Sequence, residues 1–317
     1  MNPASFALPR PLLPGATIGL FAPSGVVHTA RHEQSVIRLE DLGYRVVVAP
    51  EAASQWRYFA GTDDERLASF HRFLADPAID GLMMIRGGYG WSRLLHRVDW
   101  QLVAAARKPL IGFSDFTALN LAALARSQLV TFAGPGAAID FGGADDPAEV
   151  QADHAFMDAH CWPVLRGEPL LAGPFACEHS YAPQEIHGPL WGSNLSLIAH
   201  LTGTPYMPSI DGGILFVEEV TEQPYAIERM FMQLFHAGIL QRQRAIVLGD
   251  FSDCEPEAGR FPYAVEHVVE TLRTLLPIPV LTGLPFGHVA KKLTLPVGAA
   301  ARLTIEPSGF SIGLNGA

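Results

Sequence analysis

Through the first half of the chain, short unbroken apolar runs alternate with amphipathic stretches. Residues 16–24 (ATIGLFAPS), 44–50 (YRVVVAP), 81–88 (GLMMIRGG), 108–114 (KPLIGFS) and 129–135 (LVTFAGP) are apolar at successive positions, the pattern of strands buried on both faces. Helix signals fill the gaps. An amphipathic segment runs from about His32 to Leu42, where Gly43 is a natural stop, and Thr62 with Glu65 forms a capping box ahead of RLASFHRFL. Strand and helix in alternation predict a parallel sheet with helices on both faces, in which ligands bind beyond the carboxyl ends of the strands. Ser24, Gly87, Gly88 and Ser114 fall at such ends.

Between about 140 and 187 the pattern loosens (DFGGADDPAEV, LRGEPLLAGPF, HSYAPQEIHG), which predicts a connecting region with one helix near 148–160. Beyond it the texture changes. Residues 212–220 (GGILFVEEV) and 244–251 (RAIVLGDF) read as strands, 225–238 as an amphipathic helix stopped by Gly238, and 263–276 as another helix. After IPVLTGL, the tail KLTLPVGAAARLTIEPSGFSIGL alternates between turn signals, as antiparallel strands do. The expectation is an α/β fold with an N-terminal parallel-sheet domain over 1–140, a connecting region over 141–187 and a smaller second domain over 188–317.

Composition narrows the function. With 317 residues, 49% of them apolar, the chain can build a large core, and its length suits about two domains. A formal charge of −10, from 22 basic and 32 acidic residues without long runs, offers no cationic face for nucleic acid. Cys161, Cys177 and Cys254 are odd in number and irregularly spaced, so neither a disulfide framework nor a zinc knuckle is expected, and the thiols belong in a reduced core. Prolines interrupt any signal-like run at the N-terminus, and no stretch approaches the roughly 18 apolar residues of a membrane span. A cytoplasmic location and no membrane partner are expected. H-E-x-x-H is absent, as is G-x-G-x-x-G after every predicted strand, so neither a metal nor a dinucleotide cofactor is expected.

The chemistry centres on GFSDFTAL, residues 112–119. Ser114 has two readings. A serine ahead of a helix caps first-turn amides, although the residue three further on is Thr117 rather than the Glu or Gln of a capping box. Alternatively, its hydroxyl projects above the sheet as a nucleophile, with the Asp115 amide aimed from the helix N-terminus at a developing oxyanion. The generic elbow G-x-S-x-G fails at Phe116. Of 12 histidines, His71, His96, His200 and His236 lie in helical or apolar patterns, whereas His288 follows GLPFG in a glycine-rich turn able to present a base. Glu218 and Glu219 close the ILFV strand, where alternation buries one carboxylate or both end in solvent. In RGGYG, Gly87 and Gly88 permit close backbone approach to a ligand or to Ser114, and Gly88 offers a second oxyanion amide.

FAPSG (21–25), FAGTDDERL (59–67), IRGGYGWSRLL (85–95), SDFTAL (114–119), TFAGP (131–135), GPLWGSNLSLIAHLTGTPYMP (188–208), ILFVEE (214–219), IERMFMQLFHAGIL (227–240), GLPFGH (283–288) and TLPVG (294–298) together resemble the LD-carboxypeptidases, the murein tetrapeptide carboxypeptidases of bacterial cell-wall recycling. The resemblance implies a flavodoxin-like or amidotransferase-like N-terminal domain and a swivelling β/β/α C-terminal domain with the site between them. It also implies a triad of Ser114, Glu218 and His288, oxyanion amides at Gly88 and Asp115, release of D-alanine from L-Ala-D-Glu-meso-diaminopimelate-D-Ala without a cofactor, and a homodimer. A cation for the terminal carboxylate is expected at Arg86 or Arg229, and Tyr89, Trp191 and Asn194 are expected to line the peptide site. Ser193 departs from the family, many members of which have Gly-Gly-Asn where this chain has Gly192-Ser193-Asn194. Two rivals stand beside this reading: a self-immunity peptidase that cleaves a peptidyl- or aminoacyl-nucleotide antibiotic, and a non-catalytic two-domain ligand-binding protein whose serine is a cap.

Overall fold

Five of the apolar runs become the strands of one sheet. In the computed structural model, which describes residues 6–143, 147–256 and 262–315, β1 (Thr17–Phe21), β2 (Arg45–Val48), β3 (Gly81–Met84), β4 (Leu110–Gly112) and β5 (Thr131–Ala133) lie parallel in the order β5-β4-β3-β1-β2. The order changes direction at β1, so crossovers run both ways and helices cover both faces. Burial of both faces holds for β1, β3, β4 and β5 but not for 44–50. As the edge strand, β2 has a neighbour on one side only, and Val47 and Val48 remain exposed.

Local signals set the helices. The predicted capping box forms: Glu65 Oε2 accepts from the Thr62 amide at 2.7 Å, and Thr62 Oγ1 accepts from the Glu65 amide at 3.3 Å, opening helix Asp63–Ala75. Its inward residues Leu67, Phe70, Phe73 and Leu74 join the core. The segment expected from His32 is helical over Thr29–Asp41, with Gly43 just beyond at φ +87°. The helix expected near 148–160 runs longer, over Pro147–Leu165.

The second sheet contains β6 (Pro169–Ala176), β7 (Gln184–Asn194), β8 (Ile214–Val220), β9 (Ala245–Ser252) and β10 (Val280–Leu281), while β11 (Leu295–Val297) leaves it and β12 (Ala300–Glu306) and β13 (Gly309–Asn315) complete it. Its order is β10-β9-β8-β7-β12-β13-β6, parallel from β7 to β10 and antiparallel elsewhere. The loosely patterned connecting region thus supplies β6 and the start of β7 to this sheet. The tail does not stay with it either. β11 pairs antiparallel with β5, Leu295 opposite Ala133 and Val297 opposite Thr131, and covers the β5 edge of the first sheet. Among the described residues no helix is long and apolar enough to cross a membrane.

The carboxyl ends of β7 and β8 therefore meet the carboxyl end of β4. The Asn194 amide donates to Thr117 Oγ1 at 3.1 Å across this junction. The candidate site lies there.

Candidate active site

The run ending in Phe113 carries the chain out of β4, and a helix must begin at once. Ser114 makes the turn at φ +60°, a left-handed conformation that strains a non-glycine residue by about 1–3 kcal/mol, and a 3₁₀ turn over Ser114–Phe116 leads into helix Thr117–Ser127. The buried rings of Phe113 and Phe116 on either side hold it. Neither helical segment receives a side-chain cap here, so Ser114 is not a cap. Instead its Oγ lies 3.0 Å from His288 Nε2.

His288 comes from the loop after β10. Its Nδ1 lies 2.7 Å from Glu218 Oε2, at the end of β8. A carboxylate only accepts, so Nδ1 carries the proton and Nε2 is left to accept from the serine hydroxyl. Glu218 is 0% exposed, and its other oxygen has no donor among the described residues. His288 therefore carries the compensation of that buried charge. Gly287 makes the approach possible: at φ +141° an added Cβ would stand 3.2 Å from Asp250 Cβ and 3.3 Å from Glu218 Cβ.

Both carboxylates at the end of β8 are buried, where alternation required only one and a solvated strand end was the alternative. The register of β8 against β9 slips between Val217 and Glu219, and helix Leu195–Leu201 covers the second face. Glu219 accepts from Asn194 Nδ2 at 3.0 Å, from Ser196 N and Oγ at 2.7 Å each, and from its neighbour's amide at 2.9 Å. Burial pushes its carboxyl above the usual range, and these donors oppose the rise.

Beside the serine, Gly87 lies so close that an added Cβ would be 3.2 Å from Ser114 Cβ and 3.4 Å from Oγ. Gly88 is exposed at φ +109°, under the Tyr58 hydroxyl. Asp115 turns its side chain inward, where Oδ2 accepts from Ser24 Oγ at 2.6 Å and from the Trp91 amide at 3.0 Å. Burial pushes this carboxyl up as well. Ser24, noticed only for its place at a strand end, thus serves to anchor the turn.

The LD-carboxypeptidase N-terminal domain model matches residues 18–134, which contain Ser114, and the C-terminal domain model matches residues 187–303, which contain Glu218 and His288. The chain belongs to the LD-carboxypeptidase family. The probable murein peptide carboxypeptidase of Bacillus subtilis (strain 168) is 31% identical over 297 residues, covering 93% of this chain and 91% of the relative. The crystal structure of muramoyltetrapeptide carboxypeptidase from Oxalobacter formigenes matches with a TM-score of 0.83 at 34% identity, covering 94% of this chain and 98% of that one. The microcin C7 self-immunity protein MccF of Escherichia coli is 29% identical over 334 residues, covering 96% and 95%.

Not every residue expected to contact substrate in this LD-carboxypeptidase stands in the open. Trp191 is 1% exposed and donates its indole N–H to Gln243 Oε1 at 2.9 Å, so it is a core residue of the second sheet. Asn194 is buried and fully engaged: it caps helix Leu195–Leu201 through the Leu197 amide at 3.2 Å and donates to Glu219. Three residues apart, they point to opposite faces of β7, and both are buried because this end of the strand is covered on both sides, which their loop-like context did not reveal. Arg86 and Tyr89 are exposed beside Gly88, Arg86 donating to the Val26 carbonyl and Tyr89 packing on Phe59. Arg229 is exposed on helix Pro224–His236, which packs on its helical neighbours. The three cysteines are buried and in no disulfide; burial pushes the Cys161 thiol up to about 12 and Cys254 to about 11, which disfavours these two as nucleophiles near neutral pH.

Ser193 sits at φ +115° and is fully buried, its hydroxyl without a partner among the described residues. Glycine suits this backbone better. Ser193→Gly should raise stability by about 1–2 kcal/mol: it relieves strain of about 1–3 kcal/mol and an unmet hydroxyl of about 1–3 kcal/mol, against a glycine entropy cost of about 0.5–1 kcal/mol and the repacking of a small void. A higher urea midpoint at unchanged m-value is the expected reading. A lower midpoint would mean that Ser193 is well accommodated as it stands.

Proposed function

We propose that the chain is a serine-type LD-carboxypeptidase that releases the terminal D-alanine from the murein tetrapeptide L-Ala-D-Glu-meso-diaminopimelate-D-Ala. The observation that carries this reading is the Ser114–His288–Glu218 line, with spacings of 3.0 and 2.7 Å. His288 Nε2 takes the Ser114 proton as Oγ attacks the carbonyl at the L-centre of the diaminopimelate, and Glu218 holds the tautomer and stabilises the imidazolium. The amides of Gly88 and Asp115 receive the oxyanion, where each such donor contributes on the order of 3 kcal/mol. His288 then passes its proton to the departing D-alanine amine. In the second half His288 deprotonates a water, which attacks the acyl-serine; the tripeptide leaves and Ser114 regains its proton. Arg86, exposed beside Gly88, is the cation offered to the terminal carboxylate. The same reading places the enzyme in the cytoplasm, in cell-wall recycling, as a homodimer; three unpaired thiols support the compartment.

The likeness to MccF supports a second reading, cleavage of an aminoacyl-nucleotide antibiotic by the same triad. The purified protein should be given the tetrapeptide and, separately, an aminoacyl-sulfamoyl adenylate. D-alanine release with the adenylate left intact is expected. Cleavage of the adenylate alone would replace the murein reading with the second one.

A further inference from the structure

The loop that delivers His288 runs on to Thr294 before β11 begins. Within it, Lys292 is 1% exposed, a burial that lysine rarely tolerates without a partner. The partner belongs to the other half of the molecule. Lys292 Nζ donates to Asp140 Oδ1 at 2.6 Å, and the Asp140 side chain is only 4% exposed. Asp140 is itself held in the turn after β5, where its Oδ2 accepts from the Gly136 amide at 2.7 Å. Lys292 Nζ also stands 3.7 Å from the centroid of the Phe113 ring, and the His288 imidazole packs against the same ring at 5.1 Å between centroids. Phe113 directly precedes Ser114. One ammonium therefore joins three things: the loop of the base, the wall of the first-sheet domain and the residue next to the nucleophile.

We propose that Lys292 is a positioning residue, whose buried pairing with Asp140 and contact with Phe113 set the separation between His288 Nε2 and Ser114 Oγ. This rests on the triad reading given above. The serine and the histidine reach the site from different sheets, so their bond is only as good as the placement of the loop. An exposed ion pair would be a soft restraint, because water replaces either partner at little cost. Neighbouring Lys291 is such a case, 56% exposed and 3.9 Å from Asp153. A buried pair cannot part without leaving two dry charges, so the restraint rises steeply with distance. Because Asp140 neutralises the ammonium, Lys292 holds the loop without opposing the imidazolium charge that forms during turnover. The bland alternative is that β11 pairing alone holds the loop and that the ion pair contributes only to folding.

The test uses the full chain and four variants: Lys292→Met, Asp140→Asn, Lys292→Met/Asp140→Leu and Ser114→Ala. Four readouts are taken: kcat and KM for the tetrapeptide, the rate at which a fluorophosphonate labels Ser114, and Tm. Displacement of a reacting group by about 1 Å costs about 100-fold in rate, so Lys292→Met should lower kcat and labelling by about that factor with KM little changed. The double variant replaces the pair with apolar side chains; it should regain Tm while kcat and labelling stay low. A double variant with wild-type kcat and labelling overturns the proposal and leaves the triad intact. Full activity in Ser114→Ala, or labelling elsewhere than Ser114, overturns the triad reading and this proposal with it.

Discussion

Replacing Ser114 with alanine lowers kcat for D-alanine release by about 10⁴–10⁶-fold, the loss that follows removal of an acyl-enzyme nucleophile. At about 1.36 kcal/mol per decade this is roughly 5–8 kcal/mol of transition-state stabilisation. What remains is the work of the oxyanion amides and of substrate binding, neither of which needs the hydroxyl, so KM changes little. Stability moves far less. Alanine at φ +60° is as strained as serine, and the lost bond to His288 is worth on the order of 1 kcal/mol. Ser114→Gly separates the two effects further, because glycine relieves the strain: it is equally inactive and more stable than the alanine variant. Steady-state kinetics beside thermal unfolding checks both statements. Turnover in Ser114→Ala within tenfold of wild type would place the nucleophile elsewhere.

Gly192→Ala costs at least about 3 kcal/mol of stability and takes activity with it. At φ +137° the new Cβ would lie 1.9 Å from the Phe216 carbonyl oxygen and 2.9 Å from its carbon. Both positions are backbone in neighbouring strands, Gly192 opposite Phe216, so neither side can yield without breaking the β7–β8 ladder. Strain of about 1–3 kcal/mol adds to that loss, and together they reach the uncommon end of single-substitution effects. The damage is not confined to folding, because the ladder continues to Asn194 and Glu218, the pair that closes the site from this side. Gly203→Ala serves as the control: its φ is +83°, but nothing stands within 4 Å of the added atom, so strain acts alone. Urea unfolding of the two variants decides the matter. Equal losses would show that the contact with Phe216 is relieved at no cost.

The first sheet was legible because strands buried on both faces leave unbroken apolar runs, and the helices because caps such as Thr62 with Glu65 act locally. The edge strand was misjudged for the same reason. YRVVVAP has the composition of a buried strand, and nothing in seven residues says that a neighbour is missing on one side. Ser114, Glu218 and His288 were singled out by their places at strand ends and by the blocks around them, but their roles came from resemblance, since many serines, glutamates and histidines occupy such turns. The burial of Trp191 and Asn194 was not legible, because whether a strand residue is covered depends on packing that only the assembled sheet defines. The pairing of Lys292 with Asp140 left no local signal at all. Two charges so far apart in the chain meet only through the crossing of the tail back into the first sheet.

That crossing also bears on synthesis. A ribosome that has finished Thr131–Ala133 has made five strands of the first sheet, but the sixth, Leu295–Val297, follows only after β6 to β10 have been made. At about 5–20 residues per second the wait is on the order of ten seconds or more, during which an unpaired strand edge is open to other nascent chains. His288 belongs to the same late stretch. The proposed triad is therefore complete only after the segment that pairs with β5 has left the ribosome.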